Sequence, residues 1–292
     1  MSKEAFGIDV SRYQKGMDMK KALGEGAEFV IIKASQNDFT DPEFNAHYNA
    51  ARGAGLKVGA YHYLTATSVA DAKKEAAYFV KALGGKKFEY PVFADAEDAS
   101  LKALDKKTVT DIVNAFCLDV ERAGYWCGVY CNYDFYKNHF DGESVAKRFS
   151  LWLASWTKTC PIDCQMWQFG GETNLLRSNT VAGMVCDQNR SFRDFETLIA
   201  GKGLNNLSKS AAPSAPASKP AGASGASVSF KVGDRVRLKS DAVIWGTSDR
   251  YASWVYSAQL YLRELSGSRA VISTLKSGAV TGAVDVKYLI KE

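Results

Sequence analysis

Tyr90-Pro91-Val92-Phe93-Ala94-Asp95-Ala96-Glu97-Asp98 is the stretch whose reading decides the fold. It opens apolar and closes on carboxylates. Proline suits the first residue of a strand, where no ladder hydrogen is needed. Side chains alternate along a strand, so Phe93, Asp95 and Glu97 share one face and Val92, Ala94 and Ala96 the other. Two residues on one face lie roughly 7 Å apart at Cα, close enough for two carboxyl groups to sense each other. The small alanines let a neighbouring element pack tightly behind. An acid pair at the end of a buried strand is costly unless it is satisfied or used. Taken alone, the stretch fits a strand end with capping acids, and it fits a working acid pair equally well.

Working outward, Ala5–Val10 reads as a first strand ending near Asp9, and Phe29–Lys33 as a second, continuous and β-branched. Asp41-Pro42 predicts a helix start with proline at the first helical position, and Gly53 and Gly55 stop that helix. Residues 56–63 give a third strand. Ser68 with Asp71 resembles a capping box for a helix striped by Val69, Ala72, Ala76, Phe79, Val80 and Leu83. The acidic strand follows, then a helix over 108–123 and strands over 125–131, 151–156, 164–169 and 183–187. Alternating strands and helices predict a parallel α/β barrel, irregular towards its end. Asp9, Lys33, Tyr61, Asp95, Glu97, Tyr130, Trp156, Gln168 and Asp187 all fall at or near expected C-terminal strand ends. In a closed parallel barrel those ends converge on one face, where chemistry is done.

The chain of 292 residues has room for one large domain and a small one, and 46% hydrophobic content excludes general disorder. No apolar run reaches the roughly 20 residues of a membrane helix. The net charge of +5 is mild, and no long basic run points to nucleic acid. The first residues lack the pattern of a secretory signal, so reduced thiols are expected for the six cysteines. Cys127/Cys131 and Cys160/Cys164 have a spacing that could serve zinc, but the first pair lies in a strand-like run and neither has knuckle glycines. No metal and no cofactor are expected.

Residues 208–227 are only Ser, Ala, Pro, Gly and Lys and cannot bury a core. Expected boundaries are 1–204 for the barrel, 205–227 for a linker and 228–292 for a small all-β barrel, punctuated by Gly233, Gly246, Gly267, Gly278 and Gly282. Short strand-like runs are expected at Val232–Leu238, Ala242–Trp245, Gln259–Leu265, Arg269–Thr274 and Val284–Ile290.

Acids facing aromatic walls suit polysaccharide hydrolysis: sugar rings stack on Trp and Tyr while a carboxylic acid protonates the leaving oxygen. Glu97, with the longer arm, is the candidate acid and should be protonated; Asp95 should stay ionised, with Asp9 and Asp187 tuning the cluster. Carboxylate clusters also bind Mg²⁺ or Ca²⁺, which keeps a metal-dependent hydrolase as an alternative. A catalytically silent wall-binding protein is a second. His62 falls near the mouth and could act in catalysis, but its parity, opposite to Tyr61 and Tyr63, favours a hydrogen-bonding role in the core. No nucleophile elbow or phosphate loop is present.

Five segments carry a resemblance: Gly7-Ile8-Asp9-Val10-Ser11 with Gln14, Gly59-Ala60-Tyr61-His62-Tyr63, Asp95-Ala96-Glu97, Trp167-Gln168-Phe169, and Val185-Cys186-Asp187-Gln188-Asn189. Together, over residues 5–200, they resemble the glycoside hydrolase family 25 lysozymes. The resemblance implies a flattened β/α barrel with fewer outer helices than strands, and cleavage of the β-1,4 bond between N-acetylmuramic acid and N-acetylglucosamine in bacterial peptidoglycan. By position it makes Glu97 the general acid/base, and Asp95 either nucleophile or orienter of the substrate acetamido group. Asp9 and Asp187 become the other two acids, and Lys33, Tyr61, Tyr130, Trp156 and Gln168 substrate-cleft residues. The C-terminal part resembles bacterial SH3-like wall-binding modules, where Trp245, Tyr251, Trp254, Tyr256 and Tyr261 could stack on wall material or form core. The combination resembles a phage endolysin: made in the host cytoplasm, acting on the cell wall, binding neither nucleic acid nor membrane, monomeric by default.

Overall fold

The structure is a computed structural model; it describes residues 4–207, 230–247, 250–251, 255–256, 258–274 and 281–291. The chain divides into two compact units, Met1–Ala215 and Pro216–Glu292. The expected linker lies outside the described residues from residue 208 onward, as does Trp254.

Eight strands close the barrel of the first unit: β1 (Ala5–Val10), β2 (Phe29–Gln36), β3 (Lys57–Tyr63), β4 (Val92–Asp95), β5 (Cys127–Asn132), β6 (Ser150–Ala154), β7 (Met166–Gly170) and β8 (Asp187–Ser191). Each pairs with the next in sequence, and β8 returns to β1. The pairings from β1 to β7 are parallel. Those of β8 with β7 and with β1 are antiparallel. This corrects the expectation of an eighth strand at 183–187 running with the others. Between Gly170 and Asp187 there is only a small hairpin, Thr180–Val181 with Met184–Val185. No helix carries the chain back to the far rim, so it re-enters the sheet reversed. The reversal puts the first residue of β8, not its last, at the mouth.

Helices cover the outside: α1 (Phe44–Ala54), α2 (Val69–Leu83) and α3 (Lys106–Arg122) lie between successive strands. The expected Pro42 start of α1 is two residues early. The Asp41 carboxylate accepts from the backbone N–H groups of Glu43 and Arg12, which holds Pro42 in a turn instead. The Ser68 side chain caps α2 by accepting from Asp71 N–H at 3.1 Å, and Gly84 ends that helix in the left-handed region. His62 points outward, between Phe79 and Phe116. Its ring nitrogens meet Ser35 Oγ at 2.8 Å and Glu75 Oε2 at 2.7 Å, which is the expected core role.

Large rings fill the inside of the barrel. Phe29 stacks on Tyr90 at 4.2 Å, and Phe93 packs against Trp152 at 5.1 Å. Gly128 makes room for Phe93, since a Cβ there would fall 2.5 Å from its ring. Phe195 and Ile199, on a last helix α4 (Phe195–Lys202), join this interior cluster beside Tyr90 and Trp126. These partners precede their strands, so α4 closes the end opposite the mouth.

The barrel unit runs past the expected boundary at 204. Asn205 is fully buried; its Nδ2 donates to Phe88 O and Tyr90 O, and its Oδ1 accepts from Trp126 N–H at 2.6 Å. Asn205→Ala leaves two buried carbonyls and an amide without partners. A loss on the order of 3 kcal/mol is expected, read as a lower urea midpoint for the barrel transition.

The second unit is a five-stranded antiparallel sheet of β9 (Arg235–Leu238), β10 (Leu260–Ser266), β11 (Arg269–Ser273), β12 (Gly282–Asp285) and β13 (Leu289–Lys291), ordered β12-β11-β10-β9-β13. Ala242–Trp245 contributes only a bridge from Val243 to Arg250 instead of the expected strand. The expected strand at 284–290 is split by a 3₁₀ turn over Val286–Tyr288. Tyr251 belongs to the core cluster and the half-buried Tyr256 packs against it: the Tyr251 hydroxyl donates to Ala283 O and that of Tyr256 to Ala242 O.

Candidate active site

Asp9, Lys33, Tyr61, Asp95, Glu97, Tyr130, Gln168 and Asp187 all line one cavity at the C-terminal rim of the parallel strands. Asp9 and Asp187 are direct partners in the β1–β8 register. Asp95 ends β4, and Glu97 lies two residues beyond on the same side, as side-chain alternation requires. Trp156, 38% exposed, stands beyond β6 and is not part of the cavity lining. It touches the site through its indole N–H, which donates to Gln168 Oε1 at 3.2 Å.

Gln168 is the hub. Its Nε2 donates to Asp9 Oδ2 at 3.1 Å and to Asp187 Oδ2 at 3.5 Å. Its Oε1 accepts from the Tyr130 hydroxyl at 3.1 Å and from Trp156. Two donors and two acceptors are the whole capacity of a primary amide. Gln168 lines the cleft, and in this structure it uses that capacity in positioning protein groups.

Three residues that sequence reasoning missed complete the arrangement. Asn189 Nδ2 donates to Asp9 Oδ2 at 2.8 Å, while its Oδ1 accepts from Trp152 Nε1. Trp152 also packs edge-on against Tyr130 and Tyr61. Asn132, the last residue of β5, donates from Nδ2 to Glu97 Oε2 at 3.2 Å, and its Oδ1 accepts from Phe135 N–H. Strand parity was the available signal, because Asn132 follows Tyr130 by two residues and Asn189 follows Asp187 by two. Lys33 Nζ sits 4.8 Å above the Tyr63 ring and donates to Gln36 Oε1 at 2.9 Å. Gly171 allows the close approach on the other side: a Cβ there would lie 1.9 Å from Asp187 Oδ1 and 2.7 Å from the Trp156 ring.

Burial dominates the electrostatics. Asp9 is pushed up to about 6 by desolvation, tempered by the hydrogen bonds from Asn189 and Gln168. Asp187 is pushed up to about 8 by desolvation and by the charge on Asp9. Asp9 has the better donors, so a proton shared by the pair at neutral pH resides on Asp187. Desolvation, then repulsion from Glu97, raises Asp95 well above an ordinary carboxylate. Glu97 is raised by desolvation too, but the Asn132 hydrogen bond opposes the shift. Asp95 is only 5% exposed, and the nearby Lys33 ammonium opposes its shift, so both carboxyls of the pair favour the protonated form more than ordinary carboxylates do.

A stability prediction follows for Asp187. An unfolded aspartate titrates near 3.9, whereas the folded one titrates at about 8. The fold prefers the protonated form, so its stabilising contribution is complete below about pH 4 and lost as pH rises through about 8. Asp187→Asn should match the parent protein at pH 4 and exceed it at pH 9 by on the order of 1–3 kcal/mol. Urea unfolding at the two pH values checks the sign.

A family model, Glycosyl hydrolases family 25, matches residues 8–176. The chain belongs to this family. The autolytic lysozyme of Clostridium acetobutylicum is 30% identical over 156 residues, which are 53% of this chain and 46% of that protein. The chain thus spans less than half the length of that relative. The crystal structure of the bacterial lysozyme from Streptomyces coelicolor shares the fold, with a TM-score of 0.57 at 23% identity over 70% of this chain and 98% of the other. The CTP1L endolysin structure aligns with a TM-score of 0.55 at 25% identity, covering 68% of this chain and 70% of that one. In this family 25 chain all four acids of the resemblance stand on one rim.

Proposed function

We propose that the barrel unit is a muramidase that cuts the β-1,4 bond between N-acetylmuramic acid and N-acetylglucosamine in bacterial peptidoglycan. The observation that carries this reading is the Asp95/Glu97 pair at the cavity floor, flanked by Asp9 and Asp187 and walled by Tyr61, Tyr130 and Trp152. Glu97 serves as general acid/base: it is partly buried, its pKa is raised, and Asn132 fixes one of its oxygens. Asp95 acts either as nucleophile or by orienting the acetamido group. Its partnerless Oδ1 supports the second role, since an acetamido N–H would supply the missing donor. Such a hydrogen bond favours the ionised form, so substrate itself would draw the proton off Asp95 and leave Glu97 as the acid. Asp9, held by Gln168 and Asn189, adds negative charge for the developing oxocarbenium ion. Lys33, Tyr61, Tyr130 and Trp156 contact the glycan along the cleft, and Gln168 keeps the acids in register.

The second unit is read as an SH3-like wall-binding module, and the pair of units as an endolysin whose tether raises the enzyme's concentration at an insoluble substrate. The muramidase reading is tested by mass analysis of fragments released from purified peptidoglycan. Muramic acid at the new reducing ends is expected; glucosamine there, or release of peptides alone, would overturn it.

A further inference from the structure

The six thiols are not equivalent. Cys117, Cys127, Cys131 and Cys186 are buried. Cys160 is partly exposed, and its Sγ lies 3.4 Å from Sγ of Cys164, which is only 5% exposed. The two bracket Cys160-Pro161-Ile162-Asp163-Cys164 on the crossover from β6 to β7. This crossover starts at Ser155, whose carbonyl accepts from Trp167 Nε1 at 2.8 Å, and at Trp156, which reaches Gln168. Among the described residues no third His, Cys, Asp or Glu joins the pair to make a metal site.

We propose that Cys160 and Cys164 are a redox-active dithiol, a modification site that closes to an intramolecular disulfide on exchange with a small-molecule disulfide. The two sulfurs already stand 3.4 Å apart on one connection between strands, and the difference in exposure sets the order of events. Cys160 is the sulfur an oxidant can reach. Hydrogen bonding between the two sulfurs favours the Cys160 thiolate and brings it down to about 7, while Cys164 is held far up as the thiol; as a thiol, Cys160 can also donate to Ile162 O at 3.1 Å. A thiolate whose pKa sits near ambient pH is the most effective attacking sulfur.

With glutathione disulfide as oxidant, the Cys160 thiolate attacks one sulfur, the glutathione S–S bond breaks, and one glutathione leaves as thiolate. Cys164 then gives its proton to solvent, and its sulfur displaces the second glutathione from Cys160. The two cysteines lose two electrons, and the glutathione disulfide takes them up to become two thiols. The product staples the crossover that carries Trp156. Cys117 and Cys127 also interact, but both are buried on the helix-facing side, so they form an internal control that an oxidant cannot reach.

The test uses the full chain, reduced, freed of reductant and exposed to glutathione disulfide before alkylation under denaturing conditions and tryptic digestion. Residues 159–177 form one tryptic peptide holding both cysteines. That peptide should lose two hydrogens while the other four cysteines carry the alkylating label, and the closure rate should rise with pH through an inflection at about 7. Cys164→Ser should stop at one glutathione on Cys160, and Cys160→Ser should not react. Persistent glutathione on Cys160 of the unmutated protein, or alkylation of all six cysteines, would overturn the proposal. No wall substrate enters the experiment, so its outcome is independent of the muramidase reading.

Discussion

Glu97→Gln is expected to lower wall lysis by about a thousandfold or more while leaving the barrel folded. Glutamine matches glutamate in shape and still accepts the hydrogen bond that Asn132 gives Glu97 Oε2. What it lacks is a proton to donate to the leaving glycosidic oxygen. Burial disfavours the charged form of Glu97, so the neutral amide carries no folding penalty. Turbidity loss of purified walls, run beside circular dichroism and urea unfolding, separates lost chemistry from lost structure. A variant that lyses walls within tenfold of the parent would remove Glu97 from the acid role. Asn132→Ala supplies a graded companion. Its hydrogen bond favours ionised Glu97, so removing it should raise the Glu97 pKa and move the alkaline limb of the pH–rate profile upward. An unmoved or acid-shifted limb would show that this limb does not report Glu97.

The parts of the site that follow from alternation along one strand were legible in the sequence. Asp95 and Glu97 share a face, Tyr61 faces inward and His62 outward, and the first seven strands alternate with their connections as expected. The position of Asp187 was legible for a different reason than the one given. Its strand starts four residues later than 183 and runs backwards, and the two differences cancel at the mouth. Asn132 and Asn189 were within reach of the same parity rule, but asparagine carries no charge to draw attention. Two features were not legible at all. The role of Gln168 depends on Asp9, Tyr130, Trp156 and Asp187 converging from different strands and loops. The raised titration of both Asp95 and Glu97 depends on how far the folded cavity desolvates them, which residue spacing does not show.

Asp95→Asn is expected to cut the rate on intact peptidoglycan by about 10²–10⁴. Two roles make different demands on this residue. As an orienter, Asp95 would accept the acetamido N–H on Oδ1 and stabilise positive charge as the acetamido oxygen closes on the anomeric carbon. Asparagine keeps an acceptor but loses the charge. As a nucleophile, Asp95 would bond to the sugar itself, and the acetamido group would be incidental. Comparing N-acetylated and chemically de-N-acetylated glycan, with and without the substitution, distinguishes them as a double-mutant cycle does. On the orienting role, deacetylation should drop the parent enzyme towards the level of Asp95→Asn and cost the variant little more. On the nucleophile role, the parent should keep cutting deacetylated glycan while the variant cuts neither substrate. No protein group donates to Asp95 Oδ1, which leaves that oxygen available to the acetamido N–H and favours the first outcome. The variant should also be at least as stable as the parent at neutral pH, since burial raises the Asp95 pKa and a neutral side chain avoids the desolvated charge. A destabilised variant would mean that Asp95 is held ionised by the fold itself, against the direction its burial gives.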